Sequence, residues 1–215
     1  MKLQLQDVRS ILCLGAHPDD IEIGCGATVA QVARACPQAQ FTYVLLSGSP
    51  ERAREAEVAI RRLLPSTSQP RVILKSFRDS FFPYQGGEIK EFFHGLALEV
   101  APDLIFTHRR EDLHQDHRLL AELTYNAFRA QLVFEYEIPK YDGDLTTPNV
   151  YVPLSRQQAE MKIETIMESF GSQHDKRWFT QDTFWATLRI RGIECHSESG
   201  LAEGLYCRKA QIAIG

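Results

Sequence analysis

The sequence lacks an excess of positive charge. Its 24 Lys and Arg residues are outnumbered by 28 Asp and Glu residues, which gives a formal net charge of −4. Proteins that bind a nucleic-acid backbone or an anionic membrane surface usually carry a basic patch, and this balance indicates none. The composition therefore predicts no nucleic-acid partner and favours a small molecule as the ligand.

Long apolar runs are also missing. The apolar stretch of residues 11–16 is shorter than a signal-peptide core, and much shorter than the roughly 20 residues that span a membrane. Before it, Met1 and Lys2 are followed mainly by polar side chains, so we expect no export signal in this stretch. We expect no membrane span and a cytoplasmic location.

Cysteines are few and odd in number. The five are widely spaced and form no C-x-x-C pair, which argues against a disulfide framework and against a thiolate zinc site. Free cysteines usually behave as small apolar side chains, so we expect these to be buried in a protein of a reducing compartment. They are Cys13, Cys25, Cys36, Cys195 and Cys207.

Short runs rich in Ile, Val and Leu alternate with segments of helical periodicity. This alternation is typical of β-α units around a parallel sheet. It predicts an α/β fold, a Rossmann-like three-layer sandwich with a mostly parallel sheet. The predicted strands are residues 10–14, 40–46, 71–74 and 104–107, and the predicted helices are 21–36, 50 to about 65, 88–98 and one that opens near 112 and continues through 128.

The C-terminal third is less regular. Turn-forming residues follow Tyr141, and then Ser155 and Gln158 have the spacing of a capping box that opens a helix. No long linker or repeat divides the chain, so residues 1–215 are expected to form a single domain. In this interpretation the C-terminal part forms a cover for the active site.

Two polar clusters stand directly after predicted strands. Residues 15–20 (GAHPDD) follow the first strand, and residues 112–117 (DLHQDH) follow the strand that ends at Thr107. Ligands of open parallel sheets bind beyond the carboxyl ends of the strands, so both clusters are expected to line one cleft. Each cluster alone is equally consistent with ordinary polar loops and helix caps, but two convergent groups of titratable side chains favour a functional site.

Together the clusters can supply two imidazoles and a carboxylate to a divalent ion. His114 and His117 are three apart, on one face of the first turn of a helix whose dipole favours the neutral imidazole that a metal requires. Three protein ligands leave a position open for water, as catalytic zinc requires, and the remaining acids and histidine stay free for proton transfer. The spacing leaves open which carboxylate binds the metal and which acts as a base.

The two clusters resemble the motifs of the LmbE/PIG-L family of zinc-dependent N-acetylglucosaminyl deacetylases. Residues 16–20 (AHPDD) with residues 24–28 (GCGAT) are similar to the first family motif, and residues 112–117 to the second, D-x-H-P-D-H. Gln115 stands where the family usually has proline, and Ile21 separates the double Asp from Glu22. Neither departure removes an expected ligand or base, so they concern the substrate more than catalysis.

The resemblance implies a metal site made by His17, Asp20 and His117. The metal it implies is zinc, and the same donor set also accepts iron or cobalt. The implied substrate is an N-acetylated sugar or sugar conjugate, from which water removes an N-acetyl or similar N-acyl group. Whether the free sugar, a nucleotide sugar, a glycolipid, a thiol glycoside or an antibiotic precursor is the substrate stays open, as does assembly into a homo-oligomer.

The resemblance also implies three catalytic roles. Asp19 is the general base that takes a proton from the attacking water, and His114 stabilises the oxyanion or protonates the leaving amine. Asp116 is expected beside His114, where it holds an imidazole in position. Weaker candidates for contact with the substrate are Arg109 and Arg110, which stand next to the second motif.

Two alternatives compete with the deacetylase hypothesis. Gly24 and Gly26 could belong to a dinucleotide-binding turn, although Val29 stands where the third glycine of that motif belongs. The second alternative is a non-catalytic protein of the same fold that uses the metal site to bind a carbohydrate. A structural zinc site is normally closed by four protein ligands, so the uncommitted Asp and His favour catalysis.

Overall fold

The computed structural model describes residues 4–5 and 7–211. Within them a seven-stranded sheet has the strand order β3-β2-β1-β4-β5-β7-β6. The strands are β1 (Ser10–Gly15), β2 (Gln40–Leu45), β3 (Arg71–Leu74), β4 (Leu104–His108), β5 (Leu132–Tyr136), β6 (Val150–Pro153) and β7 (Ala202–Tyr206). The helices are α1 (Asp20–Ala35), α2 (Pro50–Leu63), α3 (Gly86–Glu99), α4 (Gln115–Ala127), α5 (Arg156–Ser169) and α6 (Gln181–Glu194).

Strands β1 to β5 run parallel to one another. β7 runs antiparallel to both of its neighbours, β5 and β6. β1 pairs with β2 on one side and with β4 on the other, while β7 joins the far edge of β5 and runs opposite to it. The chain therefore leaves β1 towards one half of the sheet and returns in β4 to build the other half. The carboxyl ends of β1 and β4 form the switch point at which such sheets bind their ligands.

The central strands β1 and β4 are buried on both faces, and most of their side chains are apolar. In β1, Ile11 and Cys13 face one hydrophobic core, and Leu12 and Leu14 face the other. The first core includes residues of α1, α2, α5 and α6, and the second includes residues of α3 and α4. The three-layer α/β prediction is therefore confirmed, since alternate side chains of each strand meet helices on opposite sides.

Capping residues and apolar periodicity in the sequence predicted helices α2, α3 and α5 close to their observed positions. The Ser49 side chain accepts a hydrogen bond from the Arg52 amide at the start of α2, with Pro50 in the first helical position. The predicted capping box at α5 is formed by Ser155 and Gln158 in both directions. The helix predicted at 88–98 extends from Gly86 to Glu99.

The glycines of the first motif lie inside α1 rather than on a phosphate-binding turn. A Cβ on Gly24 would lie 2.1 Å from the ring of Tyr136, so glycine here allows α1 to pack tightly against β5. A Cβ on Gly26 would come within 3.1 Å of Leu63. Their role in helix packing contradicts the dinucleotide-binding alternative.

The expectation that all five cysteines are buried was wrong for three of them. Cys13 and Cys25 are buried, but Cys36, Cys195 and Cys207 are partly exposed, and all five are free. Cys36 and Cys195 are the C-terminal caps of α1 and α6, where the chain turns towards the surface, and Cys207 follows the last strand. Among residues 4–5 and 7–211, no helix has the length and apolar character needed to cross a membrane.

Candidate metal centre

The two motifs meet at the carboxyl ends of β1 and β4. His17 and Asp19 occupy the loop between β1 and α1, Asp20 begins α1, and His114 and His117 stand at the start of α4. The fold thus brings together side chains that are about a hundred residues apart in sequence. Every predicted metal ligand is nearly buried: His17, Asp20 and His117 are 7%, 3% and 3% exposed.

Donor atoms of the three predicted ligands lie close together. His17 Nδ1 lies 3.2 Å from His117 Nε2 and 3.4 Å from Asp20 Oδ2. His117 Nε2 lies 3.5 Å from the other carboxylate oxygen, Asp20 Oδ1. A tetrahedral zinc ion with ligands at about 2.0–2.1 Å separates its donors by about 3.4 Å. Each separation is therefore close to the edge of a tetrahedral metal site, and the Asp20 carboxylate contacts the two imidazoles through different oxygens.

The hydrogen bonds of the two imidazoles direct free lone pairs into this space. Asp112 Oδ2 lies 3.1 Å from His117 Nδ1, so that nitrogen carries the proton and Nε2 is left as an acceptor. On His17 the Nε2 atom lies 3.3 Å from Asp116 Oδ2, which leaves Nδ1 unprotonated in the neutral ring. Two acceptors at 3.2 Å repel each other unless a proton or a cation lies between them.

The electrostatics of the three groups are those of a cation site. Burial and the neighbouring His108 lower the pKa of His117 to about 3, so it is a neutral imidazole. Burial opposes ionisation of Asp20, but the neighbouring imidazoles of His117, His108 and His17 outweigh it and hold its pKa well below the usual range. Burial likewise opposes protonation of His17, but Asp20 and Asp116 hold its pKa well above the usual value.

Asp19 borders the same cleft but takes no part in the triangle of donors. Its Oδ1 accepts a hydrogen bond of 3.0 Å from Arg52 Nη2, which also donates to the Pro18 carbonyl. Burial raises the pKa of Asp19 to about 7, against the opposing charge of Arg52. Its backbone has a φ of 130°, a conformation that costs free energy and is common at functional sites. Its side chain does not cap α1, which contradicts the simple capping interpretation.

His114 caps α4 and faces the same space. Its Nδ1 accepts a hydrogen bond of 3.3 Å from the Asp116 amide, which leaves Nε2 for other contacts. Its ring centroid lies 5.1 Å from that of His17 and 4.5 Å from that of His117. Burial and the nearby His17 lower its pKa.

Asp116 is fully buried and holds a different imidazole from the expected one. Its Oδ2 contacts His17 Nε2 at 3.3 Å, and its side chain makes no hydrogen bond to His114. Both carboxylate oxygens also accept backbone hydrogen bonds, from the Ser80 amide at 2.6 Å and the Phe82 amide at 3.1 Å. Asp116 therefore fastens the loop after β3 to the His17 side of the site.

Several residues of the site were not assigned roles by sequence reasoning. Asp112 orients His117, and His108 Nε2 lies 3.0 Å from Asp20 Oδ2. Arg52 binds Asp19, while Lys140 Nζ bonds Asp112 at 3.1 Å. The position of His108 directly after a predicted strand indicated that it could lie near the site. No sequence pattern indicated the roles of Arg52 and Lys140, because their contacts join distant parts of the chain.

A cleft of about 270 Å³ opens over the donors. Besides the motif residues and Arg52, residues of the loop after β3, of the segment after β5 and of the loop between α5 and α6 line it, and a cover formed by the C-terminal part stays a prediction. These are Asp79, Ser80, Ile138, Lys140, Tyr141, Asp142, Lys176 and Trp178. Arg109 does not line this cleft, because it turns away and donates to the Asp144 carbonyl.

The fold and the site together define a Rossmann-like α/β protein that can hold a divalent ion at the switch point of its sheet. Residues 12–128 match the sequence model of the PIG-L family, described as GlcNAc-PI de-N-acetylase. This segment is more than half of the 215 residues and contains both motifs. The chain therefore belongs to the PIG-L family of de-N-acetylases.

Comparisons with individual proteins extend this finding. A segment of 26 residues is 62% identical to the uncharacterized deacetylase YaiS of Escherichia coli, but it covers only 12% of this chain and 14% of that protein. The hydratase GalB of Pseudomonas putida, which acts on 4-carboxy-2-hydroxymuconate, has a TM-score of 0.76 at 17% identity, with 96% of this chain and 99% of that chain covered.

The N,N'-diacetylchitobiose deacetylase of Pyrococcus horikoshii has a TM-score of 0.69 at 17% identity, with 94% of this chain and 84% of that chain covered. At such identities the similarity concerns the fold alone. A hydratase and a deacetylase share it, so the reaction has to be argued from the family and from the side chains of the site.

Proposed function

We propose that this chain is a metal-dependent N-deacetylase that hydrolyses the amide of an N-acetylated amino sugar or sugar conjugate. The observation that carries the proposal is the approach of His17 Nδ1, His117 Nε2 and the two Asp20 carboxylate oxygens, with contacts of 3.2–3.5 Å, and with Asp19 and His114 in the same cleft. Three donors suit a catalytic site better than a closed structural one. Membership of a de-N-acetylase family supports amide hydrolysis as the reaction.

His17, Asp20 and His117 would hold the ion. Zinc is the first candidate, and a donor set of two imidazoles and one carboxylate also suits iron or cobalt. When bound, the ion supplies Lewis acidity, which polarises the amide carbonyl and lowers the pKa of water.

Asp19 provides the proton acceptor for the water that attacks. Its carboxylate lines the cleft, and Arg52 fixes its orientation through Oδ1. Burial brings its pKa to about 7, close to the value that suits a general base at neutral pH. The strained backbone of Asp19 places the carboxylate in the cleft instead of against the first turn of α1.

His114 is suited to stabilise the oxyanion. Its Nδ1 accepts from the Asp116 amide, so the neutral ring carries its proton on Nε2 and can donate a hydrogen bond to the oxyanion. The proton that Asp19 takes from the attacking water then passes to the departing nitrogen, which lets the free amine leave and acetate form. Its position on the cleft, with a ring nitrogen within 4.8 Å of those of His17 and His117, is consistent with this role.

The dimensions and lining of the cleft suit a sugar ring. A volume of about 270 Å³ is close to the lower end of ordinary small-molecule sites. Trp178 and Tyr141 are the aromatic residues that line the cleft, and we expect them to contact the apolar side of a pyranose. Polar groups of Asp79, Asp142 and Lys176 are available for its hydroxyls.

Acetate release from a panel of N-acetylated sugars and sugar conjugates tests the proposal. The protein is stripped with a chelator, reconstituted with Zn²⁺, Fe²⁺ or Co²⁺, and compared with the stripped form and with Asp19→Asn. We expect release that requires metal and is abolished in the variant. Stoichiometric metal binding without release from any N-acylated substrate would favour the non-catalytic carbohydrate-binding alternative.

A further inference from the structure

The loop after β3 brings one carboxylate into the cleft. Asp79 lines the cleft with a side chain that is 53% exposed. Its Oδ1 lies 3.3 Å from His17 Nε2, and its Oδ2 lies 3.6 Å from Arg52 Nη1. A carboxylate can accept about four hydrogen bonds, so Oδ2 keeps the capacity to accept one from a hydroxyl of the substrate.

The residue after Asp79 has a strained backbone. Ser80 has a φ of 64°, a conformation that costs free energy for a residue with a side chain and persists only where other contacts hold it. Its hydroxyl donates a hydrogen bond of 3.0 Å to Asp79 Oδ1. The conformation of Ser80 therefore affects the position of the Asp79 carboxylate.

The start of α4 supplies the contacts that hold Ser80. Its amide donates to Asp116 Oδ2 at 2.6 Å, and the Phe82 amide donates to Asp116 Oδ1 at 3.1 Å. The Ser80 carbonyl accepts a hydrogen bond from Gln115 Nε2. The peptide groups before and after Ser80 are thus both bonded to α4.

The Gln115 side chain is not required by the helix itself. Gln115 is the first residue of α4 after the cap His114, a position that suits proline because its amide has no partner within the helix. The family usually has proline here, and His114 has an extended backbone, with a ψ of 123°, which a residue before proline can adopt. The glutamine amide is therefore available for a contact outside the helix, and it bonds Ser80.

We propose that Gln115 is a positioning residue for the substrate, which fixes residues 78–82 so that Asp79 faces the cleft. The inference rests on the proposed function, because it requires a sugar in that cleft. Gln115 bonds Ser80 rather than a proposed metal ligand or Asp19. Loss of its amide is therefore expected to weaken substrate binding by about the effect of one hydrogen bond, roughly 3- to 10-fold in KM, and to leave kcat within about twofold.

Two variants remove the amide, and one control removes a glutamine elsewhere. Gln115→Pro and Gln115→Ala both lose the donor to Ser80. Because proline suits this position, Gln115→Pro is expected to unfold at the wild-type temperature or above it, which excludes general destabilisation. The control is Gln131→Ala, a partly exposed glutamine whose Oε1 accepts from the Ala130 amide at 3.0 Å. Gln131 precedes the amino end of β5, at the edge of the sheet opposite the cleft.

Hydrogen exchange of the Zn²⁺-reconstituted protein, followed by NMR, measures whether the loop is fixed. The Ser80 and Phe82 amides are expected to exchange roughly 3- to 10-fold faster in both Gln115 variants, because the loop opens more often. Exchange in residues 118–127 of α4 is expected to match the wild type, as is all exchange near the cleft in Gln131→Ala. Wild-type exchange of Ser80 and Phe82 in both Gln115 variants would overturn the inference.

Acetate release at saturating Zn²⁺ gives KM and kcat for N-acetylglucosamine, or for the panel member with the highest kcat/KM where that is another sugar. We expect KM to rise roughly 3- to 10-fold at nearly constant kcat in both Gln115 variants, and wild-type values in Gln131→Ala. In an Asp79→Ala background, Gln115→Ala is expected to change KM by less than about twofold, because its effect passes through Asp79. An unchanged KM, a fall in kcat at constant KM, or an equal effect with and without Asp79 would overturn the inference.

Failure of the proposed function has a different signature. If the wild-type protein releases acetate from no member of the panel, the proposed function is wrong and the effect of Gln115 on the substrate falls with it, while hydrogen exchange still decides whether Gln115 fixes the loop. If acetate is released and the Gln115 variants match the wild type in KM, the proposed function stands and only the role of Gln115 is wrong.

Discussion

Replacing Asp19 by Asn separates the base from the metal ligands. The substitution keeps the shape of the side chain and an oxygen to accept from Arg52 Nη2, which now lies 3.0 Å from Asp19 Oδ1. Asparagine also tolerates a positive φ better than most residues, so the φ of 130° adds little new strain. The variant therefore removes mainly the ability to accept a proton.

The structure predicts unequal effects on turnover and on metal binding. General base catalysis typically contributes 10²- to 10⁴-fold, so kcat is expected to fall by that factor, or about 3–5 kcal/mol of transition-state stabilisation. Asp19 is outside the triangle formed by His17, Asp20 and His117, so the metal affinity is expected to change by less than about tenfold. His17→Ala removes one of three donors and is expected to lose the ion.

The assay measures acetate release at saturating metal together with the zinc dissociation constant of each variant. Loss of kcat with retained metal in Asp19→Asn, beside loss of metal in His17→Ala, is the expected pattern. Equal loss of metal in the two variants would refute the assigned roles. Full turnover in Asp19→Asn would show that another group accepts the proton.

Four further outcomes follow from the same contacts. His114→Ala is expected to keep the metal and lower kcat by about 10²–10⁴-fold, measured by acetate release under saturating metal. Asp112→Asn, which weakens the acceptor for His117 Nδ1, is expected to weaken zinc binding about 10- to 100-fold in chelator competition. Chelation of the wild-type protein is expected to lower Tm, since an ion at 100 times its Kd stabilises the folded state by about 2.7 kcal/mol, which calorimetry with and without metal checks. Gly192→Ala would place a Cβ 2.1 Å from the Gly200 backbone and is expected to cost about 1–3 kcal/mol in urea unfolding, with no change in metal affinity after refolding.

The first half of the fold was predictable because its signals are local. Apolar runs separated by capped helices identified β1 to β4 and α1 to α4, and the Ser49 and Ser155 caps marked two helix starts. The antiparallel β6 and β7 were not predicted, because their pairing joins Val150 to Leu205 across a separation that no local pattern reports. β6 is partly exposed, and β7 contains Glu203 and Gly204 in place of a continuous apolar run.

The site was predictable as far as it lies in the two motifs. His17, Asp20 and His117 converge because β1 and β4 are neighbours at the switch point, which follows from the order of a parallel sheet. Residues outside the motifs hold the other motif side chains in place. Arg52 of α2 donates to Asp19, and the Ser80 amide in the loop after β3 donates to Asp116. These contacts depend on tertiary packing, so sequence spacing carried no signal for them.

Anomalous diffraction from a crystal grown with Zn²⁺ or Co²⁺ tests the central claim most directly. The account predicts one ion bound by His17 Nδ1, His117 Nε2 and an Asp20 oxygen at about 2.0–2.2 Å, with Asp19 and His114 uncoordinated. An ion held by a different set of residues, or no ion at this position at full metal occupancy in solution, would contradict it.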